Sequence, residues 1–588
     1  MQINGSAKTI KIDIIISSLI FLAATAVFFP SWDPLPGLVS DDNAYIGQWA
    51  RLDCTLDNIL FYFKHQVLYL HSPLVMLSFM ADKLLWGSKH IFGSHVTNAV
   101  LHAFSAVLFY KLLTVLHFFR KGKISLRIPP AAAAAIALLW ALHPQRAESV
   151  AWACERKDVL VTLFFLGAAL SFINAFRKRK FDIAGTILLA LSFLCKPMLI
   201  TFPALAAVFI FCETRGKDFR KKLKYIIPSA AICCLYIIIN ATQMGKSASN
   251  HKLSDLLTVL ETAANVGRYF IKTCYPYDLC TWYPVILPYT DALYLLIPAS
   301  MFLLLKSKWK NFALYCILPG IVMFGIAVSP VSGIISIGAT NFADRYSYIP
   351  SIFLAAAIAF AVSAAMEKWR YFSGVFYIIS GVAVIFFCIE TRNLCGIYRD
   401  ENKFLENALS AENPHHDSLY AFGHHLLIMK RYSEAETLAK NMQIPARVTE
   451  STVRHIRTFK KTLYALARIY QGDITGGLPE LDKVIFSKDS ACLKNFTANF
   501  AHDTLLLAAR LHLKYNNVRY AAHIFGMLSD FYGEYDPSER DFYLGVRAMI
   551  RQEHAEAEML FARALKAKPG NEKIIVNLKA ARAKQGKL

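Results

Sequence analysis

Charged side chains are scarce in this chain: only 18% of its 588 residues are Asp, Glu, Lys or Arg, whereas 55% are hydrophobic, with 42 Phe and 27 Tyr. That balance excludes an ordinary soluble enzyme and points to a membrane protein. The 12 cysteines contain no paired CxxC motif and no Cys/His spacing of the metal-ligand kind, so neither a zinc module nor a disulfide framework is implied. Only Cys274 and Cys280, which bracket a short polar loop, are placed where a bridge could form. A Gly-rich nucleotide loop is absent, which argues against a nucleotide-sugar donor. No small-x-small cleavage pattern follows the apolar stretch from Ile12 to Phe29, so that stretch reads as an uncleaved first span. The net charge of +22 does not imply nucleic acid, because the basic residues fall in short clusters between apolar runs.

A crossing helix needs about 20 apolar residues, fewer where protein shields it. Spans are expected at 12–29, 94–118, 129–142, 158–176, 182–195, 198–212, 225–241, 291–305, 311–329, 350–366 and 371–389, about eleven in all. Every second connector is basic: Lys8/Lys11, Arg120 to Arg127, Arg177 to Lys180, Arg215 to Lys224, Lys306 to Lys310 and Lys368/Arg370. These connectors are expected on the cytoplasmic side, with the amino terminus. Asp41-Asp42, the stretch from His143 to Asp158, the segment 242–290, the loop 330–349 and everything beyond 390 then face outward. The long connector 30–93, with the amphipathic stretch Leu56 to Leu70, is expected to lie along the outer interface.

Beyond Thr391 the apolar spans give way to amphipathic helices, so two domains are expected, 1–390 in the membrane and 391–588 soluble. Leu544, Gly545, Ala548, Ala557, Phe561, Ala564 and Pro569 occupy the small and apolar positions of the ~34-residue tetratricopeptide helix pair. Phe422, Gly423, Leu426, Ala435 and Ala439 repeat the same phase. The fold class is therefore all-α: a polytopic bundle followed by a tetratricopeptide-like solenoid.

Ionisable residues recur at the outward ends of the spans. The first group is Asp41-Asp42 in LVSDDNAYI, a candidate general base or else a helix cap. The second is HPQRAESVAWACERKDVL; if Ala147 to Leu160 is one helix, Glu148 and Glu155 share a face with Trp152 between them, flanked by Arg156 and Asp158. Charges at this depth need partners or a ligand, so the group is either a salt-bridge network or a site for an anionic head group. Third is Lys196 in LCKPMLITFP, a lone cation that either snorkels or neutralises a lipid phosphate. The fourth is NFADRYSYIPS, where Arg345 suits a bidentate phosphate contact, Asp344 can orient it, and Tyr346 and Tyr348 suit either an aromatic belt or sugar stacking.

In this order, SDDNAYI, SPLVMLSF, FGSHVTNAVLHAFSAVLFYKLL, HPQRAESVAWACERKDVLVTLFFL, CKPMLITFP and FADRYSYIPS resemble the membrane proteins that join a glycosyltransferase-C module to tetratricopeptide repeats. The animal members of that group are the transmembrane and tetratricopeptide-repeat O-mannosyltransferases, and there are bacterial relatives. The resemblance implies a polyprenyl-phosphate-linked sugar donor and an active site on the outer face. It further implies a multi-pass protein of the bacterial inner membrane with periplasmic repeats. Carried onto this chain, Asp41 or Asp42 is the general base. From the chemistry of the residues themselves, Lys196 and Arg345, and after them Arg156, are the candidates for the donor phosphate, because a fixed cation stabilises charge developing on the leaving group, with His143, Glu148, Asp158, Asp344 and Tyr346 supporting the site. A Tyr-Arg pair expected before the PL of SPLVMLSF is replaced here by His71-Ser72.

Direct displacement at the anomeric carbon would invert its configuration. The acidic pair is compatible with a divalent metal, but no ligand set for one is evident and no other cofactor is implied. The expected partners are the lipid-linked sugar, membrane lipids, a protein or envelope-glycan acceptor, and a peptide or protein bound by the repeats; nucleic acid is not among them. A non-catalytic repeat scaffold for envelope assembly is the alternative, and a transporter is a more distant one because the ionisable residues sit at span ends rather than at the midplane.

Overall fold

The computed structural model of the chain describes residues 7–29, 38–47, 50–68, 70–120, 123–247, 256–284, 289–301, 303, 310–333, 342–369, 371–411, 414–444, 450–487, 498–533 and 536–587. The fold is all-α apart from one antiparallel hairpin, His117–Arg120 with Lys123–Arg127, among the described residues. Two compact units form, Met1–Pro414 and His415–Leu588.

In the first unit, eight helical stretches among the described residues are long and apolar enough to cross a membrane. They are Ile10–Val27, Pro73–Val115, Ala153–Arg177, Pro197–Thr214, Phe219–Ile239, Lys310–Val331, Pro350–Lys368 and Phe372–Cys395. Pro130–Ala141 and Ile183–Phe193 are shorter apolar helices at two more of the expected crossings. The expected crossing at 291–305 is instead a 3-10 segment, Tyr289–Leu295, followed by the short helix Leu296–Ser300; residues 302, 304 and 305 lie outside the described residues. Outward-facing Ile378, Ile379, Val382 and Ile385 on Phe372–Cys395 are more than half exposed, as a lipid-facing helix requires. This chain is a multi-pass membrane protein.

Local sequence explains where these helices start. Prolines stand in the first turns of Pro73–Trp86, Pro130–Ala141, Phe202–Thr214 and Pro350–Lys368, where a missing N–H costs nothing. The long stretch Pro73–Val115 is two helices that turn at Gly87–Lys89, and Thr97 Oγ1 donates to Asp82 Oδ1 across the turn at 2.7 Å. Pro73–Trp86, with 14 residues, rises about 21 Å, short of a ~30 Å hydrocarbon core.

The first unit extends past the hydropathy break near residue 390. Phe372–Cys395 is continuous, and Asp400 caps the next helix, Glu401–Leu409, by accepting from Asn402 N at 2.9 Å and Lys403 N at 3.2 Å. Thr281 then ties that helix down, donating its N–H to Asn407 Oδ1 at 2.8 Å and its hydroxyl to Phe404 O at 2.9 Å. Cys274 and Cys280 are separate thiols, and no bridge joins them.

The second unit is a series of helix pairs around its own apolar core. Pro537–Ile550 and His554–Ala567 bury Gly545, Ala548, Ala557, Phe561 and Ala564, the positions that carry the repeat pattern, and the second helix stops just before Pro569. Gly545 is there because nothing larger fits: a Cβ would lie 2.6 Å from the Phe561 ring. Gly545→Val is expected to push this pair apart and destabilise the unit by about 1–3 kcal/mol, the usual cost of overpacking. A lower thermal midpoint for the purified variant checks it; an unchanged midpoint would mean the ring yields.

Candidate active site

The two aspartates do different things. Asp42 is fully buried and begins the short helix Asp42–Tyr45; its Oδ2 accepts from Val39 N at 3.1 Å and its Oδ1 from Cys154 N at 2.9 Å. Burial pushes its carboxyl up to about 7 despite those two N–H donors. Asp42 is a clamp that fastens the segment after the first span to the turn before residue 156. Asp42→Ala would orphan two buried N–H groups, and a loss of about 1–3 kcal/mol for each is expected, read as a lowered thermal midpoint.

Asp41 is half-buried, and its side chain receives only a long hydrogen bond, from Ser40 Oγ at 3.5 Å, among the described residues. Burial raises its carboxyl above the ordinary range, Lys157 and Arg345 pull it down, and Glu155 pushes it up. It therefore faces a charged cluster.

The segment 146–158 builds that cluster by breaking its helix rather than by continuing it. Arg146–Ala151 ends at Trp152, whose ψ of 114° is extended, and a 3-10 turn, Ala153–Glu155, precedes Arg156–Arg177. Trp152 is held at the break because its Nε1 donates to Val39 O at 3.1 Å while Asp42 holds the N–H of Cys154. Glu148 and Glu155 thus converge on Arg345 through a turn, not along one helix face.

Arg345 is gripped from two sides. Its backbone N–H donates to Glu148 Oε2 at 2.7 Å, its guanidinium donates to Glu148 Oε1, and its Nε stands 3.6 Å from Glu155 Oε1. Burial works against this charge, and the carboxylates, Glu148 foremost, outweigh it and hold the guanidinium well above its usual range. Lys196 is not alone, contrary to the sequence expectation: its Nζ donates to Asp158 Oδ1 at 2.6 Å and lies 3.9 Å from Glu155 Oε2. Lys157, which the sequence reading passed over, lies 3.0 Å from Glu155 Oε1 and over the Tyr45 ring at 4.8 Å. Tyr346 offers its face to both Lys196 and Arg345, each 5.0 Å from the ring centroid.

Three expected residues stand elsewhere. Arg156 turns away and is fully buried, 2.5 Å from Asp82 Oδ2, with Asn98 Oδ1 at 2.7 Å and Ser94 O at 2.8 Å accepting from it. Asp344 does not orient Arg345; it accepts from Gln145 Nε2 at 3.0 Å and from the Tyr283 hydroxyl at 2.8 Å. His143 packs edge-on against Phe387, and its Nδ1 accepts from Gln145 N at 3.3 Å. The carboxylates Glu148, Glu155 and Asp158 are engaged by Lys and Arg. Among the described residues, the one His/Cys/Asp/Glu trio whose ligand atoms lie within 4.8 Å of one another is His415, His416 and Asp417, in the second unit.

Over 152 residues the chain is 35% identical to protein O-mannosyl-transferase TMTC4 of Homo sapiens, a stretch that is 24% of this chain and 20% of that protein. The chain is similar to protein O-mannosyl-transferases. The mouse TMTC4 protein is 33% identical over 153 residues, again 24% of this chain and 20% of the relative. Mouse protein O-mannosyl-transferase TMTC3 is 29% identical over 171 residues, 29% of this chain and 15% of the relative. The matches thus span about a fifth of the length of these curated relatives. No family model matches the chain, and no solved structure matches it significantly.

Proposed function

We propose that this chain is an integral-membrane glycosyltransferase that moves a sugar from a polyprenyl-phosphate-linked donor to an acceptor hydroxyl, with inversion at the anomeric carbon. One observation carries the reading: Asp41, a half-buried carboxylate with only one long hydrogen bond among the described residues, lies within the field of Lys157 and Arg345, cations that buried carboxylates hold in place. In the transfer, the acceptor oxygen bonds to the anomeric carbon as the bond from that carbon to the phosphate oxygen breaks. The acceptor proton passes to Asp41, and the electron pair leaves with the polyprenyl phosphate. Arg345 and Lys196 stabilise the charge growing on that phosphate, and because both are fixed beforehand, little reorganisation accompanies the step. Tyr346, which already stacks with both cations, borders the same space.

The basic connectors Arg177 to Lys180 and Arg215 to Lys224 follow helices that begin at the site, so they lie at the other end of the bundle. The positive-inside bias then turns the site outward, where lipid-linked sugars are used. The helix pairs of the second unit suit acceptor recruitment. The relatives' activity makes mannose the first sugar to test and a protein the first acceptor. Mass spectrometry of envelope material from cells with and without the gene is expected to show a shift of one hexose. Identical profiles, with the protein expressed, would sink the enzyme reading and leave the scaffold.

A further inference from the structure

A cavity of about 140 Å³ lies within the spanning helices of the first unit. Its walls are hydrocarbon: Phe165, Phe172, Phe202, Leu205, Phe353 and Phe360 among others. Three segments that carry the charged cluster continue straight into these walls. On Arg156–Arg177, Phe165 follows Asp158 by about two turns; Phe202 opens the helix that comes just after Lys196; and Phe353 lies in the first turn of the helix that comes just after Arg345.

The fourth wall is shaped to leave room. Within Lys310–Val331 a π-helical turn, Ala313–Ile317, puts Tyr315 and Cys316 on the cavity, and such turns recur at functional sites. Gly320 lets the neighbouring helix come close, since a Cβ there would lie 2.6 Å from Phe353 O.

The far end is polar. Glu213 and His117 line it, and Arg177 donates from Nε to Glu213 Oε1 at 2.7 Å and from Nη1 to Val115 O at 2.9 Å. From Phe202 to Glu213 the helix rises about 16 Å, roughly half of a ~30 Å hydrocarbon core.

We propose that this cavity receives the first isoprenoid units of the donor's chain and that the polar floor at Glu213 and Arg177 sets how many units it reads. The inference rests on the transferase reading only for the identity of the head group. A sugar or a nucleotide would strand its polar atoms against the phenylalanines, whereas a chain tethered by its phosphate to the cluster enters at the near end. A longer chain must leave sideways into lipid before the floor, since a methylene against a half-buried ion pair gains nothing.

Binding of geranyl, farnesyl, geranylgeranyl and undecaprenyl phosphate to the purified full chain in detergent tests this, read by displacement of a photoreactive polyprenyl phosphate. Affinity is expected to tighten roughly threefold per added unit at first, because the chain exchanges detergent for protein and gains packing alone, and then to level off before undecaprenyl. Ala169→Trp and, separately, Ala356→Phe narrow the cavity and are expected to abolish the gain with length while geranyl phosphate still binds. Arg177→Leu combined with Glu213→Leu is expected to move the plateau to longer chains.

A rise that continues to undecaprenyl, equal affinity at every length, or equal displacement by a phosphatidic acid with saturated chains would overturn the proposal. The last result would mark a structural-lipid site. Asp41→Asn is expected to keep the whole binding series, so a normal series without sugar transfer by the wild-type protein would refute the transferase reading and leave the chain site standing.

Discussion

Asp41→Asn is expected to lower sugar transfer by about 10²–10⁴-fold, the range for loss of a positioned general base, while the thermal midpoint stays close to that of the parent. The two halves of that expectation come from different observations. The amide cannot take the acceptor proton, so the rate falls. Asp41 receives only the long contact from Ser40 among the described residues, so little holds the fold through it. Asp42→Ala should show the opposite pattern, with stability lost first.

The pH dependence follows from the same environment. Burial raises the Asp41 carboxyl above the ordinary range, so its ionised, proton-accepting form is depleted at a higher pH than for an exposed aspartate. Transfer should therefore rise with pH through that raised value, and its acid limb should lie to the alkaline side of the usual carboxylate range. A kcat/KM profile that stays flat down to that range would remove Asp41 from the role.

Arg345→Met is expected to cost about 3–5 kcal/mol of stability, together with complete loss of transfer. The guanidinium is the direct partner of buried Glu148, so removing it strands a carboxylate that is 3% exposed, whereas Glu155 keeps Lys157 at 3.0 Å. Most of the loss is the cost of the charge left behind, not the strength of the pair. Adding Glu148→Gln to Arg345→Met should then restore a large part of the stability and none of the activity. A double variant no more stable than Arg345→Met would show that the pair contributes through packing. Thermal unfolding of the detergent-purified set measures both.

Much of the fold was legible because bilayer thickness sets a length that composition alone can meet. The small residues of the last repeat were equally plain, since Gly545 and Phe561 must share one space. The site was half legible. Sequence spacing drew attention to Asp41, Glu148, Asp158, Lys196 and Arg345, because charged residues at span ends are unusual whatever their partners. It could not assign those partners, which come from segments far apart in the chain: Glu148 takes Arg345, and Asp158 takes Lys196. Arg156 looked like its neighbours in sequence, but it opens the helix after the turn at Ala153–Glu155, and its side chain runs to Asp82. Lys157 went unremarked because its value lies in the turn at Ala153–Glu155, which periodicity does not announce.

The bond from Cys154 N–H to Asp42 joins residues 112 apart in the chain. At a synthesis rate of about 5–20 residues per second, that separation corresponds to roughly 6–22 s during which the first span and its aspartates exist without their partner. Over that interval Asp42 has no buried amides to satisfy and Asp41 has no cations to face. On the proposed function, the cations that the transfer needs are complete only once Lys196 and then Arg345 have followed, so a chain stalled after the Ala153–Arg177 stretch would hold Asp42 in place and still lack the site. Maturation of the site is thus stepwise: the Asp42 clamp closes on the Ala153–Arg177 stretch, and the arrival of Arg345 completes the cluster.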